Sequence, residues 1–228
     1  MSVRDAIIGI PFVYNLVRPL VVGGIDMGPV LSPLRVKGTD TVVDVGCGTG
    51  IALEHLPRFA RYVGFDTDRR ALDAARKRAV QRAGKGGAGE MIEFREKPLE
   101  RCDVEELDPD VAIFAGLLHH LDDETCERLL ALLLSSARLR SVVTLDVTFL
   151  PGRFVNNLLT ILDRGQHPRH PGAYNWLAER SGFHVDEAKT VPSRTGSKRV
   201  EYWWMRLSPR TRTAGRSNGD AAARPGSL

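Results

Sequence analysis

Three glycines at alternate positions, placed directly after a run of β-branched residues and an aspartate, constrain this chain more than any other feature. The stretch reads TVVDVGCGTG, residues 41–50, and sets Gly46, Gly48 and Gly50 behind Asp44. β-Branched residues favour extended backbone. Glycines spaced in this way remove Cβ atoms where the chain turns out of a strand, so that a bulky ligand can lie against the backbone. In an open α/β sheet, ligands bind at that place, beyond the C-terminal ends of the strands. A helix beginning there adds unpaired N–H donors and a partial positive charge, which suit a carboxylate or a phosphate.

From residue 41 onward, short apolar runs alternate with helical patterns. TVVDVG, RYVGFD, MIEFRE, DVAIFAG and SVVTLDVTF read as strands. GIALEHLP reads as a short helix stopped by Pro57, and RRALDAARKRAVQRAG as a longer one closed by Gly84. DETCERLLALLLSSARL and GAYNWLAERSG are two more helices, and NNLLTILD is expected to cover the C-terminal edge of the sheet. FHVDEAKTV and KRVEYWWMRL end the pattern as two strands around turn material at 192–198. Such alternation predicts a parallel sheet covered on both faces, with an antiparallel hairpin at one edge. Tyr202, Trp203 and Trp204 are expected to divide between the two faces of the last strand, mostly as core.

With 228 residues, 43% of them hydrophobic, the chain can bury one substantial core. The net charge is +4, but Arg210, Arg212, Arg216 and Arg224 against Asp220 account for most of it. The body is therefore close to neutral, which argues against nucleic acid as its partner. Residues 208–228 hold few large apolar side chains and read as a disordered basic tail. Cys47, Cys102 and Cys126 fit neither a disulfide framework nor a zinc pattern, so a reducing, cytoplasmic location is expected. The apolar stretch AIIGIPFVYNLVRPLVVGG is broken by Arg18, two prolines and three glycines. It matches neither a membrane span nor a secretory signal. The reading is a helical cap over residues 1–35, with peripheral membrane contact as the lesser alternative.

The glycine spacing then separates two ligand classes. A dinucleotide site reads G-x-G-x-x-G, and its third glycine would fall on Ile51. Asp44-Val45-Gly46-Cys47-Gly48-Thr49-Gly50 instead resembles the first motif of class I S-adenosylmethionine-dependent methyltransferases, and the resemblance extends over residues 36–207. It implies an α/β, Rossmann-like, seven-stranded and mostly parallel sheet with helices on both faces, a C-terminal antiparallel hairpin and a lid insertion at 150–172.

The same resemblance implies the site. Gly46, Cys47, Gly48 and Gly50 would form the cofactor loop, with room for the methionine moiety, and Asp44 would order the loop and receive the amino group. GFDTD places Asp66 where the family holds the ribose hydroxyls, followed by Thr67. CDVEEL suggests Asp103 and Val104 as the adenine contacts. The chain departs from the family here, because Glu96-Lys97-Pro98-Leu99 intervene after the third strand, and Glu96 and Glu100 stay open as the acid. FAGLLHHLDDE resembles the exit of the fourth strand, with Ala115, Gly116 and Leu117 beside the sulfonium.

His119 and His120 stand at that exit, either as proton acceptors for a substrate hydroxyl or as pocket wall. His167 and His170 have metal-like spacing but no acid or cysteine nearby, so no metal is expected. With Arg164 and Arg169 they read equally as a guide for an anionic substrate or as a solvated basic loop. The function expected is methylation of a small, partly hydrophobic metabolite at O, N or C, without nucleic acid. Two other classes share these features: an NAD(P)-dependent oxidoreductase, and a non-catalytic cofactor-binding or membrane-associated protein.

Overall fold

The computed structural model describes residues 25–84, 89–162, 165–193 and 200–210. Expectations for the cap before residue 25, the loop 85–88, Arg164, the turn 194–199 and the tail from 211 lie outside those residues. Strands β1 (Thr41–Val45), β2 (Arg61–Asp66), β3 (Met91–Glu96), β4 (Val111–Ala115), β5 (Ser141–Val147), β6 (Phe183–Pro192) and β7 (Glu201–Pro209) form one sheet in the order β3-β2-β1-β4-β5-β7-β6. The first five pair in parallel, and β7 runs antiparallel to β5 and β6. β1 has β2 on one side and β4 on the other, so strand order reverses beside it. This reversal opens the crevice in which such sheets hold ligands.

Helices α1 (Met27–Leu31), α2 (Arg69–Gly84), α3 (Arg101–Leu107), α4 (Asp123–Leu132), α5 (Phe154–Leu162) and α6 (Pro171–Arg180) cover the sheet. All five side chains of β1 are buried because both faces are packed. Val43 and Val45 join a core with residues of α3, α4 and α6, whereas Val42 joins one with α1, the turn at 51–54 and Trp204. The Trp204 indole N–H donates to the Val30 carbonyl at 3.0 Å, which anchors α1 to the last strand. No helix among the described residues is long and apolar enough to cross a membrane.

Two elements differ from the sequence reading. The helix expected after the glycine loop is a single 3-10 turn, Ile51–Glu54. Gly50 enters it in a left-handed conformation (φ 72°) without a side-chain cap, and Pro57 lies shortly beyond. The helix expected to run through residue 139 stops at Leu132 and tightens into a 3-10 turn, Leu133–Ser135. The Ser136 hydroxyl then donates to Asp108 and to the Pro109 carbonyl, turning the chain toward β5.

Candidate active site

The three loop glycines meet three separate demands. All have positive φ, at 68°, 52° and 72°, which an L side chain tolerates poorly. A Cβ on Gly46 would stand 3.0 Å from the Leu117 side chain, and one on Gly50 would stand 2.9 Å from the Ala75 Cβ of α2. At Gly48 nothing lies within 4 Å. Gly46 and Gly50 thus allow close packing, while Gly48 borders open space. The Gly46 and Cys47 N–H groups both donate to the Phe65 carbonyl, at 2.8 and 3.0 Å, so the loop folds over the end of β2.

Beneath the loop, Asp44 is 2% exposed. Burial is the main cause that pushes its carboxyl up to about 7, opposed by the hydrogen bond from Tyr62 and reinforced by the nearby Asp66 charge. The Tyr62 hydroxyl donates to Asp44 Oδ2 at 2.5 Å. Gly64 lies opposite Asp44 in the β1–β2 register, and a Cβ there would collide with Cys47 Sγ and the Phe94 ring. Cys47 is buried, and burial followed by the Asp44 and Asp66 charges raises its thiol pKa. It is an inert packing group here, not a nucleophile.

Asp66 ends β2 and holds two backbone donors: Gly48 N–H to Oδ2 and Asp68 N–H to Oδ1, both at 2.8 Å. Asp68 in turn accepts from Arg70 N at 2.9 Å and opens α2. Thr67 between them is exposed. Asp44, the glycine loop, Asp66 and the β4 exit (Ala115, Gly116, Leu117) therefore gather at one edge of the sheet. Ala115 and Leu117 are half-buried and Gly116 is exposed.

Asp103 and Val104 are placed differently. Both lie on α3, where Val104 is fully buried in the core. The Asp103 carboxylate accepts from Arg95 at 2.7 Å, Lys97 at 2.8 Å and the Glu100 N–H at 3.0 Å. Burial alone would raise its pKa, but Lys97 and Arg95 hold it below the ordinary value. Glu96 ends β3 in register with Asp66, and its side chain is exposed at the edge. Glu100, Cys102 and Asp103 bring three ligand-type atoms within 4.8 Å of one another. The two acids are already engaged by Lys97.

At the β4 exit, His119 is 2% exposed. Asp146 at the end of β5 accepts through Oδ1 from the His119 backbone N–H at 3.2 Å and lies 2.8 Å from its Nδ1. The His120 ring is 4.1 Å from that of His119, and His120 is exposed. Arg169 is a clamp in the interior: it donates to Asp123, the Leu118 carbonyl and the His167 carbonyl at 2.8–2.9 Å and to the Leu121 carbonyl at 2.6 Å. The idea that it guides an anionic substrate is thereby corrected, since its donors are spent on the protein. His170 Nδ1 lies 3.2 Å from the Phe149 carbonyl.

α5 is turned inside out. Asn156 and Thr160 are buried, at 3% and 1% exposure, and fix the helix to the Thr148 carbonyl and the Glu201 N–H. Phe154, Val155, Leu158 and Ile161 face outward, with Phe154 86% exposed. A separate polar cleft of about 520 Å³ lies between residues 53–58 and the C-terminal half of α2. Its arginines Arg78 and Arg82 are paired with Glu54 and Glu90, and no glycine-loop residue lines it.

Residues 42–138 match the family described as methyltransferase domain. Over these residues the chain carries a methyltransferase domain. Solved structures share the fold of the domain at low identity. One is the methyltransferase domain of a bacterial CtHen1-C: 17% identical, TM-score 0.59, 81% of this chain and 97% of that one covered. Another is the magnesium protoporphyrin IX methyltransferase of Synechocystis PCC 6803, solved with bound SAH: 16% identical, TM-score 0.57, coverage 80% and 78%. The cyclopropane synthase MmaA2 of Mycobacterium tuberculosis is a third: 12% identical, TM-score 0.60, coverage 80% and 82%. No curated protein matches the sequence. Methyltransferases of this class use S-adenosylmethionine, and in this domain the match spans β1, the glycine loop, β2, β3, β4 and both histidines.

The sequence reading missed Tyr62 and Asp146. Tyr62 reads as an ordinary strand aromatic, and only the register places its hydroxyl under Asp44. Asp146, an acid inside the apolar run SVVTLDVTF, was the available signal, because a buried carboxylate in a strand needs a partner.

Proposed function

We propose that this chain transfers a methyl group from S-adenosylmethionine to a small acceptor with an apolar body. The cofactor supplies an electrophilic methyl on a sulfonium, and the residues bind, orient and exclude water. The observation that carries the reading is the buried Asp44 carboxyl under a loop whose Gly48 borders open space. A cationic amino group is the ligand that a desolvated carboxylate favours, because the pair restores what burial removed.

Asp66 would accept from the ribose hydroxyls, and Leu117 and Gly116 would border the sulfonium. For the adenine amino group we assign Glu96 in preference to Asp103, whose oxygens already face three donors. His119, held by Asp146, is the candidate proton acceptor, with His120 beside it at the surface.

The acceptor class rests on α5. It follows β5 and so leaves the ligand edge of the sheet, and it exposes Phe154, Val155, Leu158 and Ile161 while burying Asn156 and Thr160. An apolar face rimmed by polar groups marks a binding surface. Two of the fold relatives carry names consistent with apolar acceptors, a porphyrin methyltransferase and a cyclopropane synthase.

Thermal-shift titration with S-adenosylhomocysteine beside NAD and NADP tests the cofactor. Saturation at about 100 times Kd adds roughly 2.7 kcal/mol, or about 5–10 °C in Tm for a chain of this size. A shift with a nicotinamide nucleotide, or with none of the three, would overturn the reading. Transfer of labelled methyl from S-adenosylmethionine into apolar against polar acceptor panels then tests the acceptor class.

A further inference from the structure

We infer that Arg78 is a positioning residue for the glycine loop: it holds the Thr49 carbonyl and so keeps the turn 47–50 oriented to receive the amino-acid end of the cofactor. The inference rests on the cofactor assignment above and adds to it a residue of α2 that lies outside the glycine pattern.

Three ties fix that turn. Gly50 N–H donates to the Cys47 carbonyl at 2.9 Å, which closes the turn on itself. Gly48 N–H donates to Asp66 at 2.8 Å, which joins it to the end of β2. The third tie comes from α2, where Arg78 Nη1 donates to the Thr49 carbonyl at 2.9 Å. The Thr49 carbonyl and the Gly50 N–H belong to one peptide unit. That unit is therefore held at both ends, by Cys47 within the turn and by Arg78 from outside it.

The short turn after the loop explains why an outside donor is needed. In an α-helix starting at Gly50, the Leu53 N–H would donate back to Thr49. Here the chain makes a single 3-10 turn, Ile51–Glu54, and the Leu53 N–H goes to the Gly50 carbonyl at 3.1 Å instead. The Thr49 carbonyl is left over, and Arg78 takes it. Arg82, one helical turn further along α2, does the same for the chain beyond. It donates to the Leu53 carbonyl, to the Leu56 carbonyl at 2.9 Å and to the Pro57 carbonyl at 2.8 Å.

The aim of the guanidinium is itself fixed. Its Nε donates to Glu54 at 2.5 Å, so the acid at the end of the 3-10 turn takes one prong of the fork and leaves Nη1 directed at the loop. Packing keeps the two parts together, because a Cβ on Gly50 would stand only 2.9 Å from the Ala75 Cβ on the same helix.

The consequence is preorganisation. Gly48 borders open space, and its place in the turn depends on how the next peptide is held. Without Arg78 that peptide is free to rotate, and binding has to order it. The Arg78 and Glu54 side chains are 28% and 49% exposed, and ion pairs so placed contribute little to stability. The effect of Arg78 therefore falls on affinity for the amino-acid end of the ligand rather than on the fold.

The test is titration calorimetry on the full chain with two ligands, S-adenosylhomocysteine and methylthioadenosine. The second shares the nucleoside and the thioether but lacks the amino-acid end. Arg78→Ala should weaken S-adenosylhomocysteine binding about tenfold, the cost of ordering one residue's backbone on binding. Its affinity for methylthioadenosine and its Tm should stay nearly unchanged. Arg78→Lys keeps the charge but not the fork, and should show the same selective loss to a smaller degree. Losses of equal size on the two ligands in either variant would mean a general structural role and overturn the inference. S-adenosylhomocysteine affinity unchanged in both variants would overturn it too. Wild-type protein that binds neither ligand would instead overturn the cofactor assignment on which it stands.

Discussion

Tyr62 donates a 2.5 Å hydrogen bond to Asp44, and both side chains are buried under the glycine loop. Asp44 is raised to about 7 chiefly by burial. A carboxyl raised in the folded state binds its proton more tightly there than in the unfolded chain. Stability of the ligand-free protein should therefore fall as pH rises from about 4 to about 7. Cofactor binding has the opposite sign, since the amino group needs the carboxylate. Affinity for S-adenosylhomocysteine should weaken below about pH 7, approaching tenfold per unit well below it. Tyr62→Phe removes the one hydrogen bond that lowers the Asp44 value, so the midpoint should move to higher pH. Titration calorimetry across pH reads all of this, and a flat affinity from pH 5 to 8 would remove Asp44 from the amino-group site.

Gly48 and Gly50 should respond differently to the same substitution. Both have positive φ, so alanine at either costs about 1–2 kcal/mol in backbone strain. At Gly50 the new methyl also meets the Ala75 Cβ at 2.9 Å, adding about 1–3 kcal/mol of overpacking. At Gly48 it meets no protein atom within 4 Å. Gly50→Ala should thus lower Tm more, while Gly48→Ala should lose more ligand affinity per degree of Tm lost. Parallel thermal melts with and without S-adenosylhomocysteine decide between the two patterns.

The strand-edge acids divide in the same way. Asp66→Ala should weaken S-adenosylhomocysteine binding at least about tenfold while costing roughly 1–2 kcal/mol of stability, because it leaves the Gly48 and Asp68 N–H groups without their acceptor. Glu96→Gln should weaken binding and leave Tm nearly unchanged. Asp103→Asn should do the reverse, lowering stability by about 2–3 kcal/mol by breaking its pairs with Arg95 and Lys97. The Asp103 contribution is present above its unfolded value near 4 and is lost as pH falls through its lower folded value. Equal binding losses at Glu96 and Asp103 would reopen the choice of adenine acid.

Where the sequence was readable, local pattern and geometry coincided. β1, the loop glycines and Asp66 sit within 26 residues of chain, and their spacing alone carries strand, turn and edge. The pairing of Asp103 was not readable, because Arg95 comes from β3 and Lys97 from the turn just after it, and only the fold brings both to the buried carboxylate on α3. His119 was visible as a residue, but its partner Asp146 lies on β5, far along the chain from the turn that holds the histidine. The helix after Gly50 failed for a local reason that competes with the apolar pattern: a left-handed entry and a nearby proline leave room for one turn only.

α5 was expected to cover the C-terminal edge, but its orientation depends on contacts that sequence does not display. Its buried face is chosen by the Thr148 carbonyl and the Glu201 N–H, which bind Asn156 at 2.7 and 2.8 Å. Asn156→Leu should therefore destabilise the chain by about 2–3 kcal/mol despite adding an apolar residue, since the Glu201 N–H loses its acceptor and the Thr148 carbonyl keeps only the Thr160 hydroxyl. Leu158→Glu lies on the exposed face and should change stability by no more than about 0.5 kcal/mol. With an acceptor from the methyl-transfer panels, the same change should raise KM at least about tenfold, the loss expected when one leucine no longer meets an apolar ligand. Affinity for S-adenosylhomocysteine should stay unchanged. If KM is unaffected while stability holds, the outward apolar face serves something other than the acceptor, and the hydrophobic part of the substrate assignment falls.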